Sequence, residues 1–198
     1  MKLLSYKYQN NYECGYLSHD TINPIFKGNL QSLNNFLIEL IQNNVKRTNF
    51  TTFDTNIKLN DVEIIAPLPR PNSFRDAYAF RQHVEAGRKN RGLDMIPEYD
   101  QFPVFYFSNH NSIIGPGDVN VYPKHMRKLD FELEIAIIIG KQGMNIKAED
   151  AEQYIYGYTI MNDWSARGLQ MEEMKLNLGP AKGKDFATSI GPYITTLE

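Results

Sequence analysis

Cysteine is almost absent from this chain: Cys14 stands alone among 198 residues. A single thiol excludes a disulfide framework and a thiolate metal cluster, and the usage suits a reducing cytoplasm. A surplus of one charge is missing too. The chain has 21 Lys and Arg against 23 Asp and Glu, a formal net charge of −2. That balance gives no electrostatic case for nucleic acid or an anionic membrane as partner. No apolar run is long enough to span a bilayer, and the start MKLLSYKY lacks the hydrophobic centre of a secretory signal. Internal repeats, low-complexity tracts and a phosphate-binding glycine fingerprint are likewise missing. What remains is an ordinary globular composition, 42% apolar and 22% charged. The length suits one domain, or a small domain joined to a larger one.

The stretch Leu129 to Gly140, LDFELEIAIIIG, organises the chain. Asp130, Glu132 and Glu134 alternate with Phe131, Leu133 and Ile135, so in a strand the three carboxylates share one face. Adjacent carboxylates on a buried strand repel one another and lose hydration, unless a cation, shared protons or solvent compensates. One reading is an edge strand with a wet face. The apolar run Ala136 to Ile139 instead predicts a strand deep in a sheet, which favours a bound hard cation.

The preceding chain divides near three prolines. Residues 2–17 read as short strands with a turn at Gln9-Asn10-Asn11. Leu30, Leu33, Phe36, Leu37, Leu40 and Ile41 recur at helical spacing. Ile57, Leu59, Ile64 and Ile65 belong to short strands. Pro67, Pro69 and Pro71 then restrict the backbone, and place a boundary between a β-rich module over residues 1–66 and a second domain over 67–198. Ser73 to Gly92 reads as a helix capped by Ser73 and stopped by Gly92. On such a helix Asp76 and His83, seven apart, face one cavity. Arg88, Lys89 and Arg91 form a solvated basic end. The aromatic run after Pro103 predicts a buried strand. Gly157 to Asn162 predicts a strand that delivers Asp163 to the start of a helix over 164–174. There Asp163 serves either as N-cap or as metal ligand. Gly179 to Lys184 is a loop, and Pro192 to Thr196 begins a further strand.

Asp76 with His83, ELE at 132–134, MNDWSAR at 161–167 and GKDFAT at 183–188 together resemble the fumarylacetoacetate hydrolase family, in order and in spacing. The resemblance implies a mainly β (α+β) fold, a small N-terminal β-rich module followed by a β-rich catalytic domain with short helices. It implies Mg²⁺ or Mn²⁺, with Ca²⁺ a further candidate, held by Glu132, Glu134, Asp163 and Asp76. By the same resemblance His83 is the general base, and Lys184 and Gln170 stabilise developing negative charge. Tyr106 and Arg91, or Arg88 in place of Arg91, contact substrate. The implied reaction is hydrolysis of a carbon–carbon bond in an acylpyruvate or related β-diketo acid. A 2-oxo acid decarboxylase, a hydroxy-dienoate isomerase of aromatic catabolism and a non-catalytic metal-stabilised fragment are the alternatives. A small keto acid is the implied partner, without nucleic acid or membrane, in a cytoplasmic homodimer. Gly168 departs from the family's SARD block, and Met174 and Lys175 stand near an expected Tyr. Family domains also continue past the strand begun at Pro192, so the chain is expected to lack the C-terminal part of the domain.

Overall fold

The computed structural model describes residues 1–45, 50–53, 57–177 and 179–197. Glu198, where the expected truncation falls, lies outside the described residues. The first hairpin joins β1 (Lys2–Tyr8) to β2 (Asn11–Ser18). Gln9 and Asn10 have φ of 45° and 66°, the left-handed pair that a two-residue hairpin needs to match strand twist. A second tight turn leads into β3 (Thr21–Gly28). Helix α1 (Leu30–Gln42) follows, capped by Asn29, whose side chain accepts from Ser32 N–H while Ser32 Oγ accepts from Asn29 N–H. This reciprocal pair satisfies two donors that the first helical turn leaves open. The apolar stripe read from the sequence is the buried one: Leu33, Leu37, Leu40 and Ile41 pack with Leu3, Cys14, Ile138, Tyr156 and Ile194.

Short strands β4 (Ile57–Lys58) and β5 (Glu63–Ile65) come next, then β6 (Arg75–Ala77), α2 (Arg81–Lys89), β7 (Phe105–Phe107), β8 (Ile113–Ile114) and α3 (Pro123–Met126). The remainder comprises β9 (Leu129–Asp130), β10 (Leu133–Ile139), β11 (Ile155–Asp163), β12 (Ser165–Ala166), α4 (Arg167–Glu173) and β13 (Thr188–Thr196). Among the described residues the main sheet runs β10-β11-β13-β1-β2-β3-β4, with β5 beside β1 and β8 beside β13. The mainly β architecture is thus present, and the sheet is continuous across the three prolines. Lys2 pairs with Thr195 and Leu3 with Ile194, while Ser5 to Lys7 pair with Ile65 to Glu63.

Three local expectations are corrected. Asp76 lies on strand β6, paired opposite Tyr106 of β7, and the helix starts only after Phe80, which provides no side-chain cap. The predicted helix face shared by Asp76 and His83 therefore does not exist. The aromatic run is not buried: Phe105 and Phe107 are exposed and only Tyr106 turns inward. Most telling, β10 is the edge of the sheet, not its middle. Its carboxylate, Glu134, faces inward, and the outward face carries Leu133, Ile135, Ile137 and Ile139, each at least 50% exposed. Period two was read correctly, but which face was wet was inverted, because isoleucine is the more common buried residue.

Candidate functional site

The inward face of β10 and the end of β11 form the floor of the site. In their ladder, Glu134 pairs with Met161 and Leu133 with Asn162, so Asp163 emerges just past Glu132. Asp163 N–H donates to the Glu132 carbonyl at 3.0 Å. The β6–β7 pair brings Asp76 and Tyr106 against this floor. Carboxylate oxygens of Asp76, Glu134 and Asp163 all lie within 4.8 Å of one another. Asp163 does not cap α4: Ala166 occupies the cap position without a side-chain bond.

Asp163 is fully buried, and its two oxygens differ. Oδ2 accepts from Lys184 Nζ at 2.7 Å and lies 2.9 Å from the Tyr106 hydroxyl. Oδ1 is buried without a hydrogen-bond partner. The Tyr106 hydroxyl also lies 2.9 Å from Asp76 Oδ2, and its single proton serves one carboxylate at a time. The cluster is short of positive charge. Desolvation, with the charges of Asp76, Asp163 and Glu132, pushes the Glu134 carboxyl up to about 8. Desolvation pushes Asp163 up to about 6 against the opposing pull of Lys184. Desolvation and the two neighbouring carboxylates also push the Tyr106 hydroxyl up, so it remains a donor. An orphaned buried oxygen beside two further carboxylates fits a hard divalent cation.

Glu132 is placed differently from the other three acids. It pairs with Lys184 and, at 2.6 Å, with Arg167. Desolvation would raise its carboxyl, but the bonds from Lys184 and Arg167 hold it below the usual range. Lys184 is only 3% exposed. Desolvation alone would lower its ammonium, yet Asp163 and Glu132 raise it, so it stays charged. Arg167 also bonds Asp130 at 3.0 Å and Gln170 Oε1 at 3.1 Å. The structure therefore brings together Asp76, Tyr106, Glu134, Asp163 and Lys184, with Glu132, Arg167 and Gln170 immediately behind them. His83 is exposed on α2 and is not among the side chains whose ligand atoms meet at the cluster. Arg91 lines a separate cavity of about 530 Å³ with Arg127, Lys128 and Lys175, whereas Arg88 donates to the Asp94 carbonyl. At Gly168 a Cβ would come within 2.9 Å of the Arg127 carbonyl, so the departure from SARD lets that loop approach α4. Two side chains that bond around the site were not singled out from the sequence. Arg167 stood within a quoted block opposite acids it could pair with, and Glu173 gave no signal, since its partners are backbone groups.

The chain belongs to the fumarylacetoacetate hydrolase family: residues 72–198 match the model of the fumarylacetoacetate (FAA) hydrolase C-terminal domain. It is 34% identical over 162 residues to the fumarylacetoacetase of Oryza sativa subsp. japonica, covering 72% of this chain and 37% of that protein. It is 34% identical over 140 residues to the oxaloacetate tautomerase YisK of Bacillus subtilis (strain 168), covering 69% of this chain and 44% of that protein. The chain thus spans less than half the length of these curated relatives. The fold is that of the fumarylacetoacetate hydrolase from Exiguobacterium antarcticum, with a TM-score of 0.69 at 24% identity over 99% of this chain and 66% of that one. It is equally that of a 5-carboxymethyl-2-hydroxymuconate delta-isomerase from Mycobacterium smegmatis, with a TM-score of 0.68 at 23% identity over 100% and 68%. Among the described residues no helix is long and apolar enough to cross a membrane.

Proposed function

We propose that this chain carries the metal-binding and charge-stabilising part of an enzyme that hydrolyses a carbon–carbon bond in an acylpyruvate or related β-diketo acid. The observation that supports it best is the partnerless, buried Asp163 Oδ1, set among Asp76 and Glu134 and beside the Lys184 ammonium. In this reading Asp76, Glu134 and Asp163 hold Mg²⁺ or Mn²⁺, and Glu132 orients Lys184 and Arg167. The ion, when bound, supplies Lewis acidity to adjacent carboxylate and ketone oxygens of the substrate. The chain's own residues do the rest. Lys184 has three N–H donors and two carboxylate partners, so one donor is left for an oxygen on which negative charge develops. Gln170 gives its Oε1 to Arg167 and keeps its amide N–H groups for substrate. Tyr106 orients the carboxylates of Asp76 and Asp163 and meets the substrate between them. Arg91 receives a substrate carboxylate, and His83 takes the proton of the attacking water.

A second reading is favoured by His83, which is exposed and is not among the grouped ligand atoms of Asp76, Glu134 and Asp163. Decarboxylation of a 2-oxo acid or isomerisation of a hydroxy-dienoate needs charge stabilisation but no activated water. His83→Ala separates the two. Under hydrolysis the variant should lose about 10²–10⁴ in kcat on an acylpyruvate, with a much smaller loss in oxaloacetate decarboxylation and unchanged Mg²⁺ affinity. Full retention of hydrolysis would remove His83 from the chemistry. Stoichiometric Mg²⁺ binding with turnover of neither substrate would identify a metal-stabilised, non-catalytic module.

A further inference from the structure

The loop before β13 is fastened to α4 by one side chain. Glu173, the last residue of α4, is half-buried, and its carboxylate points along the helix end into the loop over 179–184. Oε1 accepts from the backbone N–H of Ala181 at 2.8 Å and of Gly183 at 3.1 Å, and Oε2 from that of Lys182 at 2.8 Å. Three successive N–H groups thus converge on one carboxylate, a concave backbone arrangement that binds anions elsewhere in proteins. Two more contacts finish the attachment. Ala166 N–H donates to the Gly183 carbonyl at 2.8 Å, and a Cβ at Gly183 would come within 2.9 Å of the Gln170 backbone nitrogen. Only glycine lets the loop lie this close to the helix. The next residue is Lys184, whose backbone N–H closes a turn onto Ala181 and whose ammonium bridges Asp163 and Glu132.

We infer that Glu173 is a positioning residue: by gathering the Ala181–Gly183 amides it sets the direction in which Lys184 enters the carboxylate cluster. Loops ordinarily sample several conformations, and a lysine side chain has many rotamers. A lysine held at 3% exposure by two carboxylates needs its Cα fixed to a fraction of an ångström. Charge-assisted bonds to backbone N–H groups are the stronger kind, and here they connect the catalytic lysine to the same helix that carries Arg167 and Gln170. The donors facing the substrate therefore move as one body.

The test compares Glu173→Ala, Glu173→Gln and, as control, Glu149→Gln, an exposed residue paired with Lys147. The first readout is acylation of Lys184 by a water-soluble succinimidyl ester at fixed pH, quantified by mass spectrometry. It needs no turnover. Labelling of Lys184 should rise roughly tenfold or more in Glu173→Ala, the shift produced by losing one charge-assisted bond's worth of positioning. Glu173→Gln, which keeps one accepting oxygen, should fall between, and Glu149→Gln should match the parent. The second readout rests on the hydrolase reading: kcat should fall in Glu173→Ala with KM nearly unchanged, and recover partly in Glu173→Gln. Labelling of Lys184 as slow in a folded Glu173→Ala as in the parent overturns the inference. Faster labelling of Glu173→Ala, together with a parent that turns nothing over, leaves the clamp standing and removes only the hydrolase reading.

Discussion

Filling the carboxylate cluster with Mg²⁺ must expel protons, and the structure sets how many. With the Glu134 carboxyl pushed up to about 8, that group holds its proton about 0.9 of the time at pH 7. With Asp163 at about 6, that group contributes about 0.1 more. Metal ligands bind deprotonated, so about one proton should leave per Mg²⁺ at pH 7. At pH 9 Glu134 is already about 0.9 ionised, and the release should drop to about 0.1 proton. The apparent affinity should rise about tenfold over the same interval and then level. Titration calorimetry in buffers of different ionisation enthalpy reads the proton number directly as the slope of observed heat against buffer enthalpy. Glu134→Gln should lose both stoichiometric binding and the release. The same group fixes a stability trend without metal. Its carboxyl is raised from an ordinary 4.5, so the stabilisation of its neutral form is complete below that pH and is lost as pH rises to about 8. The metal-free melting temperature should therefore fall across that window, and saturating Mg²⁺ should offset the fall. A slope near zero at pH 7, or equal slopes at pH 7 and pH 9, would refute the cluster as the cation site.

Glu132→Gln separates the roles of the two glutamates in the ELE block. Because Glu132 is engaged by Lys184 and Arg167, its loss should cost about 10–100-fold in Mg²⁺ affinity, as for a residue supporting the ligands, while Asp76→Asn or Glu134→Gln abolishes measurable binding. Equal loss in all three variants would make Glu132 a direct ligand. On the outward face, Leu133, Ile135, Ile137, Ile139 and Ile160 form an exposed apolar surface along an unpaired edge, so the 198-residue chain should self-associate. Sedimentation velocity should show larger species that shrink on Ile135→Lys with Ile137→Lys, and a monomer that binds no hydrophobic dye would contradict this.

Local rules carried much of this structure. The turn between β1 and β2 followed from Gln9-Asn10-Asn11, and α1 from its apolar stripe. The alternation of acids over 130–134 and the arrival of Asp163 at a strand end were legible because each depends on a single period. What failed was anything that depended on neighbours in space. The spacing of Asp76 and His83 fits a helix as well as a strand followed by a helix, and no local signal shows that Asp76 pairs opposite Tyr106. Ile135, Ile137 and Ile139 have the composition of a buried strand, so exposure on an edge could not be read from them. Glu132 and Glu134 look identical in sequence. Only the arrival of Arg167 and Lys184 from 35 and 52 residues further along gives them different partners.

The ladder between β1 and β13 has a consequence for how the chain acquires its shape during synthesis. Met1 and Thr196 exchange bonds across 195 positions: the amino terminus donates to Thr196 Oγ1 at 2.8 Å, and Thr196 N–H to the Met1 carbonyl at 2.9 Å. The β1–β2–β3 meander and α1 can form as soon as they leave the ribosome. Their junction with β10 and β11 passes through β13, which is made long after them. Until then α1 has an apolar stripe half covered, and Leu3 lacks Ile194. Contacts of such long separation slow folding and leave apolar surface open in the interval. The nascent chain thus keeps this apolar surface open until β13 arrives to cover it.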